Sequence, residues 1–130
     1  MIVKRLATFF LMLTTILLSF PACESEPENV EEHLIGRWEI VNATRDGRPA
    51  ETLSDLYYEF NADGSMLTNL PVGEAESTYE IDGSTLTQKT AQMDVEYRIE
   101  SITDSTLVLT ATIRDTPFRF NLQKNPSPVN

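Results

Sequence analysis

Histidine and cysteine are nearly absent from this chain, and their scarcity excludes more chemistry than any compositional average. Across 130 residues there is one histidine, His33, and one cysteine, Cys23. A Ser–His or Cys–His nucleophile needs histidine as its base, and His33 stands beside an acidic stretch, outside any strand pattern. A zinc site needs several Cys or His donors at short spacing, and a lone cysteine cannot close an intrachain disulfide. Asp63-Gly64 and Asp82-Gly83 lack the alternating ligands and closing glutamate of a calcium loop and read as turns. Nearly every carboxylate falls on the polar side of a strand alternation or in a turn, a poor arrangement for paired acid–base work in a cleft. These absences predict no enzymatic activity, no catalytic residue, no metal and no cofactor.

Basic residues are also few, 10 against 20 acidic ones. All 20 acidic residues follow Cys23 but only 8 of the basic ones do, leaving a net charge of −12 beyond that point. The linear sequence contains no Lys/Arg cluster able to neutralise phosphates, so nucleic acid is excluded as a partner. An anionic lipid surface would repel the chain as well, and solubility is the simplest reading of the acidity.

Long apolar runs are missing except for one, Leu6–Phe20, whose fifteen residues fall short of the roughly 20 that span a bilayer. Lys4 and Arg5 precede it and Pro21-Ala22-Cys23 closes it, the layout of an export signal. Ordinary cleavage after Ala22 would want a small residue where Phe20 stands. Phe20-Pro21-Ala22-Cys23 resembles the lipobox of bacterial lipoproteins, which implies that Cys23 is acylated, with palmitate among its chains, and becomes the mature N-terminus. Plain secretion and a retained anchor are the alternatives. Residues 1–22 are thus a lipoprotein signal peptide, and lipidation explains why the cysteine is solitary. The expected location is the bacterial cell envelope, through the lipid and at the outer membrane, on its periplasmic face or at the cell surface.

Residues 23–33 form an acidic tether with five glutamates between Glu24 and Glu32. Such a stretch buries too little to offset its ordering entropy and is expected to be disordered. Its like charges keep it extended, with a reach of roughly 30 Å, enough to hold a domain clear of the membrane. Acidic residues directly behind the lipidated cysteine resemble the surface-export signal of Bacteroidetes lipoproteins. Residues 125–130 are a Pro-punctuated tail. Asp104-Ser105-Thr106 resembles the short O-glycosylation acceptor of the same bacteria.

Residues 34–124 read as β throughout. Met93, Val95, Tyr97 and Ile99 alternate with Asp94, Glu96, Arg98 and Glu100, giving one apolar and one charged face. Leu107, Leu109, Ala111 and Ile113 share a face, as do Phe118, Phe120 and Leu122, and Leu56, Tyr58 and Phe60, and Tyr79 and Ile81. Weaker patterns place further strands around Ile35–Ala43, Met66–Leu70 and Thr85–Thr90. Asn61-Ala62-Asp63-Gly64, Asp82-Gly83, Thr103-Asp104-Ser105 and Arg114-Asp115-Thr116 supply tight turns between them. About eight strands in an antiparallel up-and-down meander bury one apolar face best by closing into a small barrel. A two-sheet sandwich satisfies the same periodicity. The longest connection, Thr44–Asp55, reads as a turn at Asp46-Gly47-Arg48-Pro49 followed by plain loop, or by one helical turn capped by Thr52 or Ser54.

Leu34-Ile35-Gly36-Arg37-Trp38-Glu39-Ile40, opening the first strand of such a meander, is similar to the Gly-X-Trp start of the lipocalins and lipocalin-like bacterial lipoproteins. The resemblance implies a barrel whose tryptophan packs across one end, with a last-strand arginine over it, and an interior that binds a small hydrophobic molecule. Arg119 is the only arginine on the last predicted strand, but its parity sets it opposite Phe118 and Phe120. Inward candidates are Trp38, Tyr58, Phe60, Tyr79, Met93, Tyr97, Phe118 and Phe120, with the tyrosine hydroxyls available to orient a ligand. These side chains are bulky, and an eight-stranded barrel holds either its own side chains or one small ligand. The first expectation is therefore a small hydrophobic ligand. The alternative is a filled barrel acting on an envelope protein partner.

Overall fold

A computed structural model of the chain describes residues 29–72 and 75–125. The expected signal peptide, Cys23, the expected tether as far as Glu28 and the tail from residue 126 lie outside the described residues. Within them the chain forms a short helix α1 (Val30–Leu34) and nine strands: β1 (Gly36–Arg45), β2 (Arg48–Pro49), β3 (Tyr57–Phe60), β4 (Ser65–Thr68), β5 (Glu76–Asp82), β6 (Thr85–Lys89), β7 (Asp94–Ile102), β8 (Thr106–Ile113) and β9 (Thr116–Lys124). From β3 onward each strand pairs antiparallel with the next, and β1 pairs with both β3 and β9. The Trp38↔Lys124 through Arg45↔Phe118 register closes the sheet. The result is an eight-stranded barrel with β2 as a short extra strand, so the sandwich alternative falls away.

Alternation translates directly into burial. Every second residue of β7 is buried through Val95, Tyr97 and Ile99, while Asp94, Glu96, Arg98 and Glu100 are exposed. Bulges interrupt this order in β1 between Ile40 and Asn42 and in β7 between Ile99 and Ser101. A bulge adds one residue and bends the strand, which a small barrel needs in order to close. In β1 it turns Val41 outward, 61% exposed, and restores Ala43 to the core.

Two local expectations change. The tether is expected to run to His33, but Val30–Leu34 is helical and Leu34 is fully buried. The body therefore begins earlier, because one apolar side chain at the end of an acidic segment finds a barrel end to cover. After the Asp46-Gly47 turn the chain adds β2 and a 3₁₀ turn, Glu51–Leu53. That turn starts after Ala50 with no side-chain cap, so neither Thr52 nor Ser54 is its N-cap.

Candidate functional site

The barrel interior, where a ligand would sit, is built from one strand parity of each neighbour. Tyr58 on β3 and Tyr97 on β7 are both fully buried, and their rings meet edge to face at 5.7 Å. Phe60 lies 6.0 Å from Tyr58, and Phe120 on β9 lies 6.0 Å from Tyr58 and 6.3 Å from Tyr97. Tyr79 packs edge-on against Phe60 at 5.2 Å. These separations are those of directly touching aromatic rings.

The polar atoms inside are spent on one another. The Tyr58 hydroxyl donates to the Tyr97 hydroxyl at 3.2 Å, which donates to Gln88 Oε1 at 2.9 Å, and Gln88 Nε2 donates to Ser77 Oγ at 3.1 Å. Tyr79 donates to the carbonyl of Asn61 at 2.8 Å. Thr68, also buried, bonds the carbonyl of Tyr57 and receives the N–H of Leu70. Among the described residues no buried side-chain nitrogen or oxygen lacks a partner. Burial pushes the Tyr58 hydroxyl well above the usual tyrosine range, with Tyr97 adding to the effect. Burial likewise raises Tyr97, against a smaller lowering by its bond from Tyr58. Both are neutral hydrogen-bonding groups at physiological pH.

One end of the barrel is closed by α1. The Trp38 indole N–H donates to the carbonyl of Leu34 at 2.8 Å, fixing the helix over the ring. Lys124, paired with Trp38 across β1 and β9, places its ammonium 5.2 Å from the indole and donates to the carbonyl of His33 at 3.1 Å. His33 Nδ1 meets Asp104 of the β7–β8 turn at 3.0 Å. The last-strand cation over the tryptophan is thus a lysine, Lys124, and not the arginine that the resemblance implies, while Arg119 faces out.

The far end is more open. Phe118 is half-buried, stacked on Phe120 at 5.8 Å with the Arg45 guanidinium 5.3 Å above its ring. Met93 is half-buried where β7 begins. Of the eight interior candidates, six are buried and these two form the rim. Reading the sequence missed Gln88, Ser77 and Thr68, which share inward parity with Leu86, Tyr79 and Met66. That parity was the available signal, obscured because these side chains are polar. A separate groove of about 770 Å³ lies along the strands β6 to β9 and β1, lined by outward-facing Thr85, Arg98, Thr110, Arg119 and Thr44. No group of three or more metal-ligating side chains occurs among the described residues.

Comparison with known proteins agrees with this architecture. No curated protein matches the chain in sequence. A lipocalin-like protein from Bacteroides uniformis shares the fold at a TM-score of 0.52 and 15% identity, over 72% of this chain and 99% of that one. The lipocalin-like domain model matches residues 34–109. The Gly36-Arg37-Trp38 opening lies within that match, and the chain belongs to the lipocalin-like domain family.

Proposed function

We propose that this protein is a lipid-anchored, non-enzymatic module of the cell envelope whose barrel is filled by its own side chains and which acts through its outer surface. The observation that carries this reading is the closed hydrogen-bond chain Tyr58–Tyr97–Gln88–Ser77 at the barrel centre. A ligand entering there would have to break satisfied buried bonds, and each buried polar group left unpaired costs about 1–3 kcal/mol. Acylated Cys23 supplies the membrane attachment that the acidic surface cannot. A second reading, a small hydrophobic ligand held at the mouth, is favoured by the half-buried Phe118 and Met93.

One experiment separates the two. The Cys23→Ala chain, which leaves the membrane fraction if the lipid is the anchor, is challenged with fatty acids, sterols, quinones and haem-like compounds. Thermal melts report binding anywhere in the barrel, mouth included, and Trp38, the only tryptophan, reports by fluorescence on entry into the interior as far as the closed end. Silence in both signals is the expected result. A bound ligand at a hundredfold excess over its Kd would instead stabilise the fold by about 2.7 kcal/mol and favour the mouth reading. Retention of the Cys23→Ala chain in the membrane would overturn the lipid anchor.

A further inference from the structure

Although no basic cluster exists in the linear sequence, folding assembles one. Arg45, Arg48, Arg114 and Arg119 make no ion pair among the described residues, whereas Arg37, Lys89 and Arg98 each face a glutamate. All four come together around two adjoining turns, Asp46-Gly47 and Arg114-Asp115, joined by the bond from the Asp46 N–H to the carbonyl of Pro117. Arg45 stands directly opposite Arg48, and Arg119 opposite Thr44. Like charges opposed across an antiparallel pair destabilise it, and here no carboxylate bridges them. In a chain with twice as many acidic as basic residues, these two turns gather four arginines, with their own Asp46 and Asp115 among them.

Arg119 also lies in the 770 Å³ groove, and the groove is chemically distinctive. Thr44, Thr85, Thr110 and Thr112 place hydroxyls along it, Arg98 and Arg119 supply the cations, and Glu96 is its lining carboxylate. Arg98 and Thr110 are engaged by Glu100, at 3.7 and 3.1 Å, and Arg119 makes no ion pair among the described residues. Hydroxyls that both donate and accept suit a polyhydroxylated ligand, and an unpaired guanidinium suits a carboxylate held bidentately. The groove is open, and Ala111, Pro117 and Phe118 line it beside these polar groups.

We propose that this groove and the arginines beside it bind a carboxylated saccharide chain, with Arg119 holding a carboxylate and the threonines the ring hydroxyls. This deepens the outer-surface reading by naming the partner's chemistry. The chain's overall negative charge opposes approach at long range, but screening within about 8 Å at physiological salt leaves the local arginines in control.

The test uses the full chain in detergent, titrated calorimetrically with short oligogalacturonate. Neutral maltotetraose and polyglutamate serve as hydroxyl-only and charge-only controls. Oligogalacturonate is expected to bind, more weakly at high salt, with both controls markedly weaker. Arg119→Gln, on the exposed face, should weaken binding about tenfold and leave the melting temperature unchanged. Thr112→Val should weaken oligogalacturonate several-fold without affecting polyglutamate. Absence of oligogalacturonate binding, equal binding of either control, or indifference to Arg119→Gln would each overturn the proposal. A Trp38 response to apolar compounds would count against the filled interior alone, so the two readings fail separately.

Discussion

Gly36 shows why the Gly-X-Trp opening requires its glycine. Its φ is +132°, and a Cβ there would sit 2.6 Å from Lys124 Cε. Any side chain would be strained and would push Lys124 off Trp38. Gly36→Ala should cost about 1–3 kcal/mol in urea melts and shift Trp38 emission to the red, as the lysine leaves the indole. The interior hydroxyls make a second residue-scale prediction. Tyr97→Phe keeps the ring but strips Gln88 Oε1 of its donor and Tyr58 of its acceptor, at about 1–3 kcal/mol. Tyr58→Phe leaves the bond from Tyr97 to Gln88 intact, so its cost should be about 1 kcal/mol or less. Equal losses would mean that the chain of bonds does not run in that direction. Large apolar residues such as Tyr58 and Phe120 were legible in the sequence because alternation marks them. Gln88 and Ser77 were not, since a polar residue is buried only when a distant partner satisfies it. Those partners, Tyr97 and each other, become visible only in the closed sheet.

At the scale of elements, the strands with unbroken alternation could be read directly, and those that bend could not. β7 and β8 alternate over most of their length, whereas β1 loses its period at the Val41 bulge. That is why the first strand carried a weak pattern despite holding the family motif. β2 shows no signal because two residues have no periodicity, and α1 shows none because its helix rests on tertiary contacts at Leu34 and Trp38 with no side-chain N-cap bond. β7 offers the sharpest test of alternation. Tyr97→Asp would bury an unpaired carboxylate, costing several kcal/mol, which approaches the whole stability of a small domain at about 5–15 kcal/mol. Glu96→Gln alters only an exposed position, and surface changes usually stay within about 0.5 kcal/mol. Urea midpoints should separate the two widely, and similar losses would mean that both faces of β7 are buried.

For the whole molecule, the filled interior ties stability to alkaline pH. Tyr58 and Tyr97 have their ionisation pushed up chiefly by burial, whereas in the unfolded chain each ionises near pH 10. Above about pH 10 the unfolded state sheds protons that the folded state retains on Tyr58 and Tyr97, and Tyr79, also raised by burial, adds in the same direction, so the unfolded state binds fewer protons and stability must fall as pH rises. Below that pH both states hold the protons and this contribution is flat. The slope should reach about 1.4 kcal/mol per pH unit for each tyrosine. Net charge also grows more negative at high pH, and self-repulsion lowers stability in the same direction. Salt distinguishes the causes, because screening relieves repulsion among exposed charges but leaves the desolvation of a buried phenolate in place. Urea midpoints measured between about pH 8 and 12 should therefore fall steeply above pH 10 even in high salt, with tyrosinate absorbance from the two core residues appearing only on unfolding. Tyr58→Phe should lower the slope by one tyrosine's share. A midpoint that stays level in high salt would mean that water reaches the two hydroxyls, and the barrel would then have room for a ligand.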